Sequence, residues 1–113
     1  MRRLFPIVAL CLAAAGCEPA WSVQGHAQDA GNAAVAASAV LRCPGEADRL
    51  AHADADGVFE LGGTGAGPSL DCAVIVSAPG RASVLVPLRD ACEDPVGERC
   101  SVAMVEVQLL AAR

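Results

Sequence analysis

The sequence predicts an all-β domain, a small Greek-key-type β-sandwich of six to seven strands stapled by disulfides. Three observations predict it. Apolar residues recur with period two, most plainly at Cys72, Val74, Val76 and Ala78, as in a strand with one buried face. The alternating runs are short, and turn dipeptides such as Pro44-Gly45, Asp56-Gly57 and Pro79-Gly80 separate them, a spacing typical of sandwich strands. Six cysteines in 113 residues point to an oxidising compartment, where bridges supplement a thin core.

The chain opens with an address. Met1-Arg2-Arg3 is a short positive segment, and Leu4 to Ala15 is apolar and ends in small side chains. That is the pattern of a secretory signal, so residues 1–16 are set apart from the fold. The run is too short to span a membrane as a mature helix, and Pro6 interrupts it. Its end, Ala14-Ala15-Gly16-Cys17, resembles a bacterial lipobox, with Ala14 where Leu is usual. The resemblance implies cleavage before Cys17 and acylation of its sulfur and amine. With Glu18 rather than Asp next in line, it implies an outer-membrane lipoprotein of the cell envelope. The membrane partner is then held through acyl chains on Cys17, each buried CH₂ contributing ~0.8 kcal/mol. Cleavage after Ala13-Ala14-Ala15 would instead give a soluble secreted protein. Residues 17–20 serve as the tether and residues 21–113 as the single folded domain.

Removing the first sixteen residues leaves 97 and takes Arg2 and Arg3 away, so 6 cationic residues face 13 acidic ones, a net charge of −7. Such a surface argues against nucleic acid, which needs a cationic stripe. Tyr is absent and aromatics are 3% of the chain, so the expected core is built from Ala, Val, Leu and Ile. A domain of this size buries only about 60–65% of its surface and is marginal alone.

Cys11 leaves with the signal and Cys17 is taken by lipid. Cys43, Cys72, Cys92 and Cys100 remain, and four cysteines allow three pairings. The favoured pairing is Cys43–Cys72 with Cys92–Cys100. The second pair closes the short loop Glu93 to Arg99, in which Asp94-Pro95 and Gly97 turn the chain. A Cys₄ zinc site wants C-x₂₋₄-C spacing, which this chain lacks, so no metal is expected.

The elements follow in order. Trp21, Val23 and Gly25 alternate with polar neighbours, and Asp29 to Asn32 is a turn cluster. Ala33 to Arg42 is rich in Ala, a helix former. It lacks a charged face, and Ala37, Ala39, Leu41 and Cys43 share one side at period two, so it is assigned as strand. Glu46 to Ala55 is polar and ambiguous. Val58 to Leu61 is a short strand, and Gly62 to Ser69 a flexible loop. Cys72 to Ala78 is the clearest strand, with Ile75 on its opposite, partly covered face. Val84 to Leu88 contains Pro87, which suggests a sheet edge. Val105 to Leu109 closes the domain.

Three segments in this order resemble the carboxypeptidase regulatory-like domain over Ser22 to Leu109. Val23-Gln24-Gly25 through Val40 is similar to its opening Gly, turn and small-residue strand. Asp54-Ala55-Asp56-Gly57-Val58-Phe59 is similar to its Thr-Asp-x-x-Gly-x-Phe signature, with Ala53 in place of Thr. Val76-Ser77-Ala78-Pro79-Gly80 is similar to its strand-ending turn. Departures are Ala36 where Gly is usual and Arg81 where Tyr is usual. The resemblance implies a transthyretin-like (prealbumin-type) sandwich. It also implies that the second strand pairs antiparallel with the strand ending at Gly80, which would bring Cys43 and Cys72 together at one end of the sheet.

Candidate chemistry is sparse. Asp54-x-Asp56-Gly57 invites a calcium reading, but Val58 and Phe59 follow where further oxygen ligands are needed, and a hairpin turn accounts for the motif. A hydrolase on the implied fold, 5-hydroxyisourate hydrolase, uses His and Arg residues and a C-terminal Tyr-Arg-Gly-Ser; this chain ends Leu110-Ala111-Ala112-Arg113. No Gly-x-Ser-x-Gly elbow exists, and the Gly62 to Gly67 run lacks the Lys of a phosphate loop. His26 and His52 are read as strand or loop residues. Trp21 is the one candidate ring for stacking on a sugar, although a lone Trp at a strand start more often packs on the domain edge. The expectation is therefore no enzyme and no cofactor. The expected function is a non-catalytic, lipid-anchored envelope module with a structural or protein-interaction role and an envelope protein as partner. The alternative is a glycan- or peptidoglycan-binding module resting on Trp21.

Overall fold

The computed structural model describes residues 20–112. The signal segment, Cys17, the tether other than Ala20, and Arg113 lie outside the described residues. The chain is a β-sandwich of eight strands: β1 (Ala20–Gln28), β2 (Ser38–Arg42), β3 (Arg49–His52), β4 (Val58–Thr64), β5 (Ala73–Ser77), β6 (Val84–Pro87), β7 (Cys92–Val96) and β8 (Arg99–Gln108). A single helical turn, Leu88–Ala91, joins β6 to β7. One sheet runs β4-β1-β8-β7 and the other β3-β2-β5-β6. The first and last strands pair in parallel, from Ser22↔Val102 to Gln28↔Gln108. All other strand pairs are antiparallel.

Period-two alternation builds the core. Trp21, Val23 and Ala27 from β1, Phe59 and Leu61 from β4, and Ala103, Val105 and Val107 from β8 face Ala39 and Leu41 from β2 and Val74 and Val76 from β5. The described residues include no buried polar or charged side chain, so the interior carries no charge-desolvation cost. The expected Ala/Val/Leu/Ile core is corrected by two aromatic members, Trp21 and Phe59, of which Phe59, 2% exposed, is the largest of the fully buried side chains. Its ring lies over Gly25, its partner across the β1–β4 ladder.

The bridges are Cys43–Cys72 and Cys92–Cys100. Arg42 pairs with Ala73 at the end of the β2–β5 ladder, so Cys43 and Cys72 stand opposite each other one step beyond it, with Cα atoms 4.2 Å apart.

The strand count exceeds the expected six to seven because of two further edge strands. Arg49–His52, within the ambiguous stretch, is β3. The expected loop after Cys92 is β7, which returns through a tight turn at Gly97 (φ 63°). Pro95 is tolerated there because β7 is an edge, and Pro87 likewise ends edge strand β6. Ala33 to Arg42 holds a strand only from Ser38. Before it, the chain crosses from one sheet to the other: Val35 N–H donates to Ala27 O at 3.1 Å and Ala53 N–H to Ala37 O at 2.8 Å. Gly62, Gly63 and Thr64 extend β4 rather than starting a loop. A Cβ on Gly63 would sit 2.9 Å from the Trp21 indole nitrogen, so the glycine makes room for the ring.

Two carboxylates tie the surface turns. Asp29 Oδ1 accepts the N–H groups of Gly31 and Ala33 at 2.8 and 2.9 Å, and Asp48 forms an ion pair with Arg42 at 2.7 Å. The Ala33 amide holds the Asp29 carboxyl below the ordinary carboxylate range, and the Arg42 hydrogen bond does the same for Asp48. A carboxyl whose folded pKa is depressed contributes stability that is present above its unfolded value and lost as pH falls through its folded value. Acidification is expected to remove both contributions below the ordinary aspartate range. An NMR titration of the carboxyl carbons checks this; titration of either residue at the ordinary value would contradict it.

Candidate functional site

The sandwich has two ends, and the sequence-predicted residues divide between them. At one end, Trp21 lies near the start of β1, Leu41 near the end of β2, and β3 and β8 begin with Arg49 and Arg99. These residues surround a pocket of about 210 Å³. Its rim is the Cys43–Asp48 connection, carrying Glu46, and the glycine-rich segment reaching Gly67. Trp21 is 8% exposed, and the Arg49 guanidinium carbon stands 5.0 Å from its ring centroid, a cation–π contact. Stacking of a sugar on that face requires Arg49 to leave it.

Arg49 is anchored to β4 and Arg99 to the loop that follows it. Arg49 Nη2 donates to Gly62 O at 2.9 Å, and Arg99 Nη1 donates to Gly67 O at 2.7 Å. Gly67 has φ 93°, and a Cβ there would overlap the Cys100 carbonyl oxygen. Glycine therefore lets the loop lie against the start of β8. Sequence reasoning singled out Trp21 but missed Glu46, Arg49 and Arg99, which lie far apart along the chain. The available signal was the scarcity of cations in an acidic, lysine-free sequence.

The other end holds the Asp54 to Val58 hairpin turn. Asp54 Oδ1 accepts the N–H groups of Asp56 at 2.8 Å and Val58 at 3.0 Å, and Gly57 has φ 78°. These are the bonds of an Asx turn, so the Asp54 carboxylate is occupied by local amides. His26 Nε2 lies 3.1 Å from Asp56 O, and its Nδ1 lies 2.9 Å from Gln28 Nε2. His52 Nδ1 lies 3.2 Å from Ser38 Oγ, its cross-strand partner. The fold does not bring His26 and His52 together, because they stand on different sheets.

The outer face of the β3-β2-β5-β6 sheet has a further feature. Leu50 pairs with Val40, Val40 with Ile75, and Ile75 with Leu85. These four form an apolar row across all four strands, and its two end members, Leu50 and Leu85, are 60% and 59% exposed. Polar His52, Ser38 and Ser77 form the row beside it.

No family model matches the chain, and no curated protein matches it either. Among solved structures, it is similar in shape to hydroxyquinol 1,2-dioxygenase from Pseudomonas putida DLL-E4, with TM-score 0.55 and 12% sequence identity. The match covers 88% of this chain and 59% of that one, so this chain spans less than two thirds of the enzyme's length. At that identity the likeness shows the fold alone. It nevertheless corrects the expectation that the chain is not an enzyme: a sandwich of this shape occurs in a dioxygenase, so the fold is no ground for excluding catalysis, nor at this distance for assigning one.

Proposed function

We propose that this chain is a lipid-anchored module of the cell envelope whose β-sandwich has a structural or protein-interaction role. The observation that carries the reading is the sequence Ala14-Ala15-Gly16-Cys17 placed directly after a positive segment and an apolar run. Two features support it. Both bridges suit an oxidising compartment, and the similarity of three segments to carboxypeptidase regulatory-like domains suits an envelope accessory module. The apolar row Leu50, Val40, Ile75 and Leu85 is the surface best suited to contact a protein, because exposed contiguous apolar area favours association.

The test is the intact mass of the protein extracted from membranes. The expected chain begins at Cys17, carries acyl chains, and gains about four hydrogens on reduction of its two bridges. An unacylated chain in the soluble fraction would overturn the anchor. For the interaction role, a photo-crosslinking residue at position 50 or 85 is expected to give a discrete adduct in intact cells. The same residue at position 60, exposed on β4 of the other sheet, should give none. Equal labelling at all three positions would remove the apolar row from the reading.

A further inference from the structure

The pocket at the Trp21 end holds charges of both signs that form no ion pair among the described residues. Glu46, Arg49 and Arg99 line it, whereas the ion pairs among the described residues are Arg42–Asp48 and Arg89–Asp71. Each pocket arginine is fixed by a bond to a main-chain carbonyl, Arg49 to Gly62 in β4 and Arg99 to Gly67 in the loop after it. A guanidinium has five N–H donors, so both retain donors for a ligand, and their anchoring reduces the ordering cost of binding. Planar N–H forks match the oxygens of a phosphate group. A bare anion would meet Glu46 and the acidic field of the whole chain. A ligand carrying a phosphate and an ammonium would satisfy all three side chains. The volume, about 210 Å³, is below that of drug-sized ligand pockets and suits a small polar group.

The position of the pocket points the same way. β1 opens at Ala20, which pairs with Thr64 on the pocket rim. Cys17 is three residues earlier, a reach of at most about 11 Å. If Cys17 carries acyl chains, the pocket end of the sandwich is held at the level of the lipid head groups. We propose that the pocket binds a zwitterionic phosphate ester of the ethanolamine phospholipid type, with the phosphate on Arg49 and Arg99 and the ammonium on Glu46. The lipid as source rests on the anchor reading; a free phosphate ester of ethanolamine has the same chemistry.

Trp21 is the only Trp in the sequence and touches the pocket, so its emission reports binding. The purified full-length chain in dodecyl maltoside is titrated with O-phosphorylethanolamine, inorganic phosphate and ethanolamine. Phosphorylethanolamine is expected to give a saturable change at concentrations at least about tenfold lower than either half, as one additional charge-assisted contact provides. Arg99→Gln, which leaves Arg49 on the Trp21 ring, should weaken binding by about tenfold or more. Glu46→Gln should abolish the preference over inorganic phosphate. No saturable change, or an unaltered response in both variants, overturns the proposal.

Vesicles separate the two sources. In phosphatidylethanolamine vesicles the site should be filled, and soluble phosphorylethanolamine should no longer change the emission. In phosphatidylglycerol vesicles it still should. A persistent response in the first case overturns the lipid source and leaves the free ester. The acylation of Cys17 is read independently by mass, so an unacylated chain that binds phosphorylethanolamine defeats the anchor and not the pocket.

Discussion

Phe59→Ala is expected to lower the unfolding free energy by about 3–5 kcal/mol, the range for removing a buried aromatic ring. A domain of this size has about 5–15 kcal/mol in total, so the loss is a large share of it. Much of the rest of the core is Ala and Val, short side chains that cannot swing over to fill the space left behind. Gly25→Ala tests the same contact from the other side. A Cβ at Gly25 would overlap the tip of the Phe59 ring, at Cζ, so the ring or the β1–β4 ladder must shift, a strain of about 1–3 kcal/mol. The two substitutions should not be additive. With the ring gone, the methyl group added at position 25 has room, and the double variant is expected to be more stable than the summed single losses indicate. Urea denaturation of the four proteins measures the coupling. Additive losses would show that the ring does not occupy the space over Gly25.

The same contact explains part of what is legible in the sequence. Central strands declare themselves because one face is buried and the other is not: β5 shows intermediate and buried residues in strict alternation, and that alternation is plain in the sequence from Cys72 to Ala78. β3 and β7 are edge strands, and nearly every residue in them is exposed or half-exposed. With no buried face there is no period to detect, and Asp94-Pro95 reads as a turn. Gly62 and Gly63 look like loop composition, yet they are strand residues, and Gly63 is kept small by the indole beside it. That reason is tertiary and invisible locally. The pocket is legible only at Trp21. Arg49 and Arg99 meet there because β3 and β8 both begin at one end of the sandwich, and topology alone brings them together.

Loss of the Cys43–Cys72 bridge should destabilise the domain more than loss of Cys92–Cys100. The bridges close segments with sequence separations of 29 and 8, and a cross-link acts largely by restricting the unfolded chain, more so for longer loops. The chain-entropy relation gives about 3.5 kcal/mol for the first and about 2.5 kcal/mol for the second. Together they amount to a large part of the stability expected for the whole domain, so the fully reduced protein is expected to be mostly unfolded at 37 °C. Thermal melts of Cys43→Ala/Cys72→Ala and Cys92→Ala/Cys100→Ala, each keeping the other bridge, test the order. The reverse order would mean that native strain or residual unfolded structure outweighs loop length. The kinetics of reduction should run the other way. Cys72 and Cys100 are each 1% exposed and Cys43 is 8% exposed, while Cys92 is only partly buried on edge strand β7. A mild reductant should therefore open Cys92–Cys100 first, in a step resolved by timed alkylation and mass measurement. Cys43 also lines the Trp21 pocket, and its bridge ties the Glu46 connection to the start of β5. Removing that bridge, unlike the other, should weaken phosphorylethanolamine binding at temperatures where the variant is still folded. Equal binding by the two double variants would show that the connection keeps its shape without the cross-link.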